Sequence, residues 1–210
     1  MTPLAIIGAG DLGRETVALV ERINEGAPRW NLCGLLDEDS SRQGATVLGY
    51  PVLGGLSWLA DRPDAAYAIA IGDGASRKKV ATVLANHPTP AATLVDPSVQ
   101  VHESVQIAPG CIVYAGVVCM VAVTVHSHVI VDAHCTLGHD AVLHACATLH
   151  PGVRVSGHVT VQAGARLGAG SVVLPNGSVG VEATVGAGAV VTRDVASGTT
   201  VVGVPARPIS

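Results

Sequence analysis

The chain has 210 residues, is 49% hydrophobic, and carries a formal net charge of -4 from 12 Lys and Arg against 16 Asp and Glu. This length allows one large domain or two small ones. The excess of acidic over basic residues does not indicate a basic surface that would bind nucleic acid or an anionic membrane. Aromatic residues make up only 2%, with no Phe, so the core has to be built from small and β-branched side chains, which suit a regular stack of strands.

The first part of the chain alternates strand and helix patterns. "LAII", "GAGDLG" and "RETVALVERI" predict a strand, a glycine-rich turn and an amphipathic helix. "LCGLLD" predicts a second strand that ends at Asp37, "SWLADRPD" a short helix or turn, "AYAIAIG" a third strand, and "SRKKVATVLANH" a second long helix. This alternation predicts a small parallel α/β domain over residues 1–95, and "HPTP" and "VDPS" mark the passage out of it.

The glycine-rich turn is a candidate nucleotide site. Gly8, Gly10 and Gly13 form a G-x-G-x-x-G pattern, and Asp37 follows 24 residues after the last glycine. Such glycines let the backbone approach a pyrophosphate at a helix N-terminus, and the acid can accept hydrogen bonds from ribose. The domain is about half of a full dinucleotide-binding domain, which favours a mononucleotide or nucleotide sugar over a nicotinamide cofactor. The alternative is that the glycines only permit a tight turn.

From Val99 onward the sequence repeats every six residues. Sixteen consecutive hexapeptides carry an apolar residue at the third position, from Val101 to Val191, and Gly, Pro, Asn, His and Asp collect at the last two positions. This period predicts a solenoid of short parallel strands over residues 96–210, in which stacked coils bury what one hexapeptide cannot. Three strands per coil give about five coils and place residues 18 apart above one another.

The cysteines and the start of the chain indicate a reducing compartment. The cysteines lack C-x-x-C spacing and lie mostly in apolar runs, so we expect reduced core residues of a cytoplasmic protein and not a zinc site. "MTPLAIIGAG" predicts neither a secretion signal nor a transmembrane helix. The five cysteines are Cys33, Cys111, Cys119, Cys135 and Cys146.

With 18 residues in each coil, several histidines lie directly above or below another histidine or an aspartate of the neighbouring coil. Pairs of this kind can hold a metal, but on an exposed solenoid face they are more often solvated, so we predict no metal site. The pairs are His126 with His144, Asp132 with His150, and Asp140 with His158.

His139 differs from the other histidines because it lies between Gly138 and Asp140 at a corner. A neutral imidazole can accept a proton from an amine or a hydroxyl, and a neighbouring carboxylate can orient it and raise its basicity. His139 is therefore a candidate general base, and the alternative is that it only serves the turn.

These segments together resemble a known family. The hexapeptides, with "GHD", "GAGSVVLPN", "VGAGAVVTRDV" and "VVGVPARPI", resemble the acyltransferases built on a left-handed β-helix. With "IIGAGDLGRE", "LLDED" and "AIGDGASRKK", the chain resembles the sialic acid O-acetyltransferase-like family, which includes nucleotide-sugar N-acetyltransferases for bacillosamine and perosamine. The resemblance implies transfer from acetyl-CoA to the amino group of a nucleotide-linked 4-amino sugar, without a metal, by a homotrimer with active sites between neighbouring solenoids.

The resemblance also assigns the site residues. It makes His139 the general base and Asp140 the acid that tunes it, so that the amine attacks the thioester directly and no Cys or Ser nucleophile is needed. It places the nucleotide sugar on Gly10, Asp11, Leu12, Asp37, Glu38 and Gly72, and acetyl-CoA on Thr148, Gly157, Ala169 and Ala187.

Three departures from the family pattern leave the substrate open. The family often has His at the position of Leu12, commonly has His at that of Thr148, and frequently has Asn at that of Asp132. The alternatives to N-acetyl transfer are a sugar O-acetyltransferase of the same fold and a non-catalytic scaffold that binds a nucleotide sugar.

Overall fold

The computed structural model describes residues 1–209, and its N-terminal part is an α/β layer. The elements of this layer are β1 (Thr2–Ile7), α1 (Asp11–Gly26), β2 (Trp30–Leu36), a 3₁₀ turn (Ser40–Arg42), β3 (Thr46–Val47), β4 (Tyr50–Gly54), α2 (Ser57–Ala60), β5 (Ala66–Ile69) and α3 (Gly74–Val83). The sheet order is β3-β4-β2-β1-β5. All neighbouring strands run parallel except β3, which pairs antiparallel with β4. The predicted strands and helices are confirmed.

The hairpin of β3 and β4 was not predicted. Leu48 and Gly49 both have positive φ and join the two strands through a two-residue turn, which is the geometry that follows the twist of a hairpin. Pro51 within β4 and glycines around it weaken the strand pattern in the sequence. The consequence for the fold is a further parallel strand beside β2.

The C-terminal part is a β-helix of short strands that pair in parallel, except that the last strand pairs antiparallel with the one before it. They are β6 (Leu94–Val95), β7 (Gln100–Val101), β8 (Gln106–Ile107), β9 (Ile112–Val113), β10 (Val118–Cys119), β11 (Thr124–Val125), β12 (Ile130–Val131), β13 (Thr136–Leu137), β14 (Val142–Leu143), β15 (Thr148–Leu149), β16 (Arg154–Val155), β17 (Thr160–Val161), β18 (Arg166–Leu167), β19 (Val172–Val173), β20 (Ser178–Val179), β21 (Thr184–Val185), β22 (Val190–Val191), β23 (Thr200–Val202) and β24 (Arg207–Pro208).

The β-helix has three faces. The first face contains β6, β9, β12, β15, β18, β21, β23 and β24, the second contains β7, β10, β13, β16, β19 and β22, and the third contains β8, β11, β14, β17 and β20. Three corners join these faces. We call the corner between the first and second faces the 1–2 corner, that between the second and third faces the 2–3 corner, and that between the third and first faces the 3–1 corner. Thr136 pairs with Val118 below and Arg154 above, which confirms the 18-residue coil. Pairing begins at β6, next to the predicted domain boundary.

The third positions of the hexapeptides form the core of the β-helix. Leu137, Leu143 and Leu149 are each 0% exposed, whereas Val101 in the first coil is 51% exposed. Cys111, Cys119, Cys135 and Cys146 are buried, as predicted for core residues, whereas Cys33 is partly exposed.

The α/β layer lies on the first face of the β-helix. Ile112 and Ile130 point outward from that face and are buried in the apolar cluster that contains α1 and the sheet. Arg77 of α3 is 0% exposed and reaches the 3–1 corner, where its guanidinium donates to the carbonyl oxygens of His128, Cys146 and Ala147. The 2–3 corner is therefore on the side of the β-helix opposite the α/β layer.

Among residues 1–209, no helix has both the length and the apolar character that crossing a membrane requires.

Candidate functional site

A cleft of about 370 Å³ lies at the carboxyl ends of β1, β2 and β5, the edge where parallel α/β sheets bind ligands. Of the six residues assigned to the nucleotide sugar, Glu38 lines an adjoining cavity of about 220 Å³. Its Oε1 accepts a hydrogen bond from the backbone N–H of Leu56 at 2.8 Å. The other five predicted residues line the cleft itself: Gly10, Asp11, Leu12, Asp37 and Gly72.

The glycines of the turn have two different roles. Gly8 has φ +107°, and a Cβ there would be 2.7 Å from the carbonyl oxygen of Ala70. A Cβ on Gly13 would overlap the carbonyl oxygen of Gly8, so both residues are needed for the tight turn. Gly10 is different, because its nearest neighbour would be Arg42 Nη1 at 3.8 Å. The absence of a side chain at Gly10 therefore keeps the cleft open.

Asp37 holds the turn and does not project freely into the cleft. Its Oδ2 accepts from the backbone N–H of Ala9 at 2.9 Å, and its Oδ1 accepts from that of Asp39 at 3.0 Å. Arg42 Nη1 donates to the carbonyl oxygen of Ala9 at 2.9 Å. Arg42 and Arg14 also line a neighbouring pocket of about 330 Å³ at the start of α1. Arg14 lies 3.7 Å from Asp11 and Arg42 lies 3.6 Å from Asp39, so an anionic ligand at this helix N-terminus would compete with these two carboxylates for the guanidinium groups.

His139 and Asp140 form a hydrogen-bonded pair at the 2–3 corner. Asp140 has φ +58°, a conformation that Asp tolerates better than most residues, and its Oδ2 lies 2.9 Å from His139 Nδ1. On the other side of the ring, a Cβ on Gly157 would be 2.5 Å from His139 Nε2. The imidazole therefore has one nitrogen bound to a carboxylate and the other against a glycine one coil above.

His158 is a further imidazole at this corner. Its ring stands edge-on to that of His139 with centroids 4.9 Å apart, and its Nε2 is 3.8 Å from Asp140 Oδ2. The predicted stacking is also confirmed at the 3–1 corner, where the rings of His126 and His144 are parallel at 4.9 Å. Burial, and then the neighbouring His126, lower the pKa of His144.

The residues assigned to acetyl-CoA do not lie together in one chain. Gly157 is at the 2–3 corner beside His139, whereas Ala169 and Ala187 are exposed at the 1–2 corner. Thr148 is 4% exposed, and its Oγ1 accepts from Arg77 Nη2 at 2.8 Å and donates to the carbonyl oxygen of Gly72 at 3.2 Å. The Thr148 side chain belongs to the interface between the two domains, so the coenzyme contact assigned to this residue stays a prediction that its hydroxyl group does not support.

Comparisons with known proteins identify the family. The model of the PglD N-terminal domain matches residues 3–84, and a comparison with curated proteins gave no match. Among solved structures, the acetyltransferase domain of PglB from Neisseria gonorrhoeae in complex with acetyl coenzyme A is 30% identical, with a TM-score of 0.90 and 99% of each chain covered. The chain belongs to the hexapeptide-repeat family of nucleotide-sugar acetyltransferases.

Two other structures support this assignment to the acetyltransferase family. PerB from Caulobacter crescentus, in complex with CoA and GDP-perosamine, is 28% identical, with a TM-score of 0.89 over 100% of this chain and 98% of that chain. WeeI from Acinetobacter baumannii is 26% identical, with a TM-score of 0.89 and both chains covered completely. The chain is an acetyltransferase, and the predicted α/β domain followed by a left-handed β-helix is confirmed.

Sequence reasoning missed two polar residues of this acetyltransferase, Arg42 and Arg77, and one contact of His158. Arg42 lies in a segment that reads as a loop, so nothing in the sequence linked it to Ala9 or to the cleft. Arg77 lies in the predicted helix "SRKKVATVLANH", where nothing in the sequence distinguishes it from the lysines beside it, although it is the largest fully buried side chain among residues 1–209. His158 was paired with Asp140 by the 18-residue coil, but its contact with His139 depends on the ring orientations.

Proposed function

We propose that this acetyltransferase moves the acetyl group of acetyl-CoA to the amino group of a nucleotide-linked amino sugar, with His139 as general base. The observation that carries the proposal is the His139–Asp140 pair, whose Nδ1 to Oδ2 distance is 2.9 Å and whose Nε2 faces Gly157. The relatives add support, since the PglB domain binds acetyl coenzyme A and PerB binds CoA and GDP-perosamine.

The reaction needs one proton acceptor and one oxyanion donor. Asp140 accepts the Nδ1–H of His139, which leaves the Nε2 lone pair free to take a proton. The sugar amine attacks the thioester carbonyl, His139 Nε2 removes the amine proton, and a backbone N–H stabilises the oxyanion. The tetrahedral intermediate then expels the CoA thiolate, which takes the proton from His139, so that the amide and CoA-SH are formed and the base is restored.

The nucleotide sugar fits the cleft of the α/β layer. The pyrophosphate would lie at the N-terminus of α1, where Arg42 and Arg14 line the adjoining pocket and the missing side chain of Gly10 leaves space. The cleft is at the carboxyl ends of the strands of a sheet that packs against the first face of the β-helix. His139 is at the opposite corner, so the amine and the base of one chain are separated by the width of the solenoid.

This separation supports a homotrimer with shared sites. A nucleotide sugar held by one copy would reach the His139 of its neighbour. The coenzyme residues support the same arrangement, because Gly157 is at the 2–3 corner and Ala169 and Ala187 are at the 1–2 corner. A coenzyme lying between two copies would contact the 2–3 corner of one and the 1–2 corner of the other.

A CoA-release assay tests the proposed activity. UDP- and GDP-linked 4-amino sugars are compared with the matching 4-hydroxy sugars, each with acetyl-CoA. We expect release only with an amino acceptor. Release only with hydroxy acceptors would replace the proposal by O-acetyl transfer, and release with neither would contradict transfer to nucleotide sugars.

Replacement of the base tests the role of His139. His139→Asn is expected to lower kcat by about 10²–10⁴-fold while CoA binding is retained. His102→Asn is the matched control, because His102 is an exposed histidine at the same 2–3 corner two coils below, and we expect it to keep full activity. A near-normal rate in His139→Asn would exclude His139 as the base.

A further inference from the structure

His139, Asp140 and His158 stand close enough together to hold a metal ion. One ring nitrogen of each histidine and one carboxylate oxygen of Asp140 all lie within 4.8 Å of one another. We propose that these three residues form a site for a divalent cation of the zinc type, and that an ion bound there stops acetyl transfer. The ion would be an inhibitor and not a cofactor. The binding is independent of the proposed function, whereas the inhibition rests on it.

The three side chains can reach tetrahedral coordination by rotation of the two imidazole rings. The distance from Asp140 Oδ2 is 2.9 Å to His139 Nδ1 and 3.8 Å to His158 Nε2. With zinc bonds of about 2.0–2.1 Å, neighbouring ligand atoms of a tetrahedron are about 3.3 Å apart, a value between these two distances. The two histidine nitrogens lie within 4.8 Å of each other, so the rings have to approach by up to about 1.5 Å to reach this value. The three side chains are 47–58% exposed, which leaves room for that rotation.

The backbone holds the three ligands on two stacked turns. Asp140 and His158 are 18 residues apart in sequence, and the N–H of His158 donates to the carbonyl oxygen of His139 at 2.9 Å. Asp140 and His158 both have left-handed φ, +58° and +56°. Two imidazoles and one carboxylate are a ligand set that zinc uses when it keeps an open fourth position. The proposed transfer reaction does not need His158, so the reaction leaves this imidazole unexplained.

Metal binding would remove the base by moving its proton. An ion on His139 Nδ1 replaces the hydrogen bond to Asp140 and requires the ring proton to be on Nε2. An Nε2 that carries a proton cannot accept one from the amine. The enzyme would therefore lose activity when zinc binds, and a chelator would restore it.

The stacked pair of His126 and His144 provides a matched control. Its rings are 4.9 Å apart, the same centroid distance as between His139 and His158. It is not part of a three-ligand cluster among residues 1–209. A variant at His144 changes one partly buried histidine without changing the proposed metal site.

The site is tested by titrating the chelator-treated enzyme with Zn²⁺ in a calorimeter, without substrates. We expect one ion per chain, an affinity at least about tenfold lower in His158→Gln, and an unchanged affinity in His144→Gln. Equal affinity in wild type and His158→Gln would overturn the site, whatever the reaction catalysed.

Inhibition is tested in the CoA-release assay with added Zn²⁺. We expect wild type and His144→Gln to lose activity over the concentration range in which zinc binds, and His158→Gln to stay active there. Full activity of zinc-loaded wild type would overturn the inhibition.

Discussion

Mixed trimers give the sharpest test of a site shared between subunits. The first variant, His139→Asn, has lost the proposed base and keeps the cleft. The second, Gly10→Trp, keeps the base and fills the cleft, because a side chain at Gly10 enters open space with Arg42 Nη1 as its nearest neighbour at 3.8 Å. In one chain, Gly10 lies in the α/β layer, which packs on the first face of the β-helix, and His139 lies at the 2–3 corner on the opposite side.

The expected recovery follows from a closed ring of three subunits. In the proposed trimer, each site would combine the cleft of one subunit with the base of the next subunit around the ring. In any trimer that contains both variants, one junction places an intact cleft next to an intact base, whichever variant is present twice. Mixed trimers should therefore have about one third of the wild-type activity, whereas trimers of either variant alone should be nearly inactive.

The assay requires the two variants to be co-expressed with different affinity tags and purified over both. The CoA-release rate per trimer is compared with that of wild type carrying the same two tags. If cleft and base of the same chain formed the site, every chain would carry one defect and mixed trimers would be as inactive as the separate variants. That result would refute the shared site.

Three other changes test parts of the fold that support the site. Arg77→Met should lower the free energy of unfolding by about 3–5 kcal/mol, because several buried carbonyl oxygens lose a charged donor; urea unfolding at fixed protein concentration measures this, and a loss below about 1 kcal/mol would contradict it. Gly157→Ala should lower kcat at least about tenfold with an unchanged circular dichroism spectrum, since its Cβ would be 2.5 Å from the imidazole of His139, and unchanged kcat would exclude that contact. Burial acts to raise the pKa of Asp96, but hydrogen bonds from Arg22 and Ser98 outweigh burial and lower this pKa to about 2. This stabilisation is complete above the unfolded pKa of about 4 and is lost as pH falls towards 2, so acid titrations should show a smaller loss of stability over this range in Asp96→Asn than in wild type.

The repeat made the β-helix predictable, because each coil imposes the same local requirement. An apolar third position such as Leu137 and a corner residue such as Asp140 recur every six residues, so the period alone defines strands, corners and the vertical neighbours of each side chain. The position of His139 at a corner followed directly from this period.

The contacts between the domains were not predictable from the same pattern. Ile112 and Ile130 occupy outward positions that the period does not distinguish from exposed ones, and the α/β layer covers them. Thr148 was assigned to the coenzyme from the resemblance, but Arg77 fills the space around its hydroxyl. Such contacts depend on tertiary packing of residues about 70 positions apart in sequence, and no local signal records that distance.

The exposure of the candidate base gives a physical reason for assembly. The His139 side chain is 54% exposed and Asp140 is 47% exposed, so in a separate chain water surrounds both. Acyl transfer to an amine benefits from a site without water, because water competes as nucleophile and weakens the oxyanion hydrogen bond. No other element among residues 1–209 covers this corner, and the α/β layer packs on the opposite face. In the proposed trimer, the coenzyme and a neighbouring subunit would cover this corner, so the shared site that the mixed trimers test would also exclude water from the reaction.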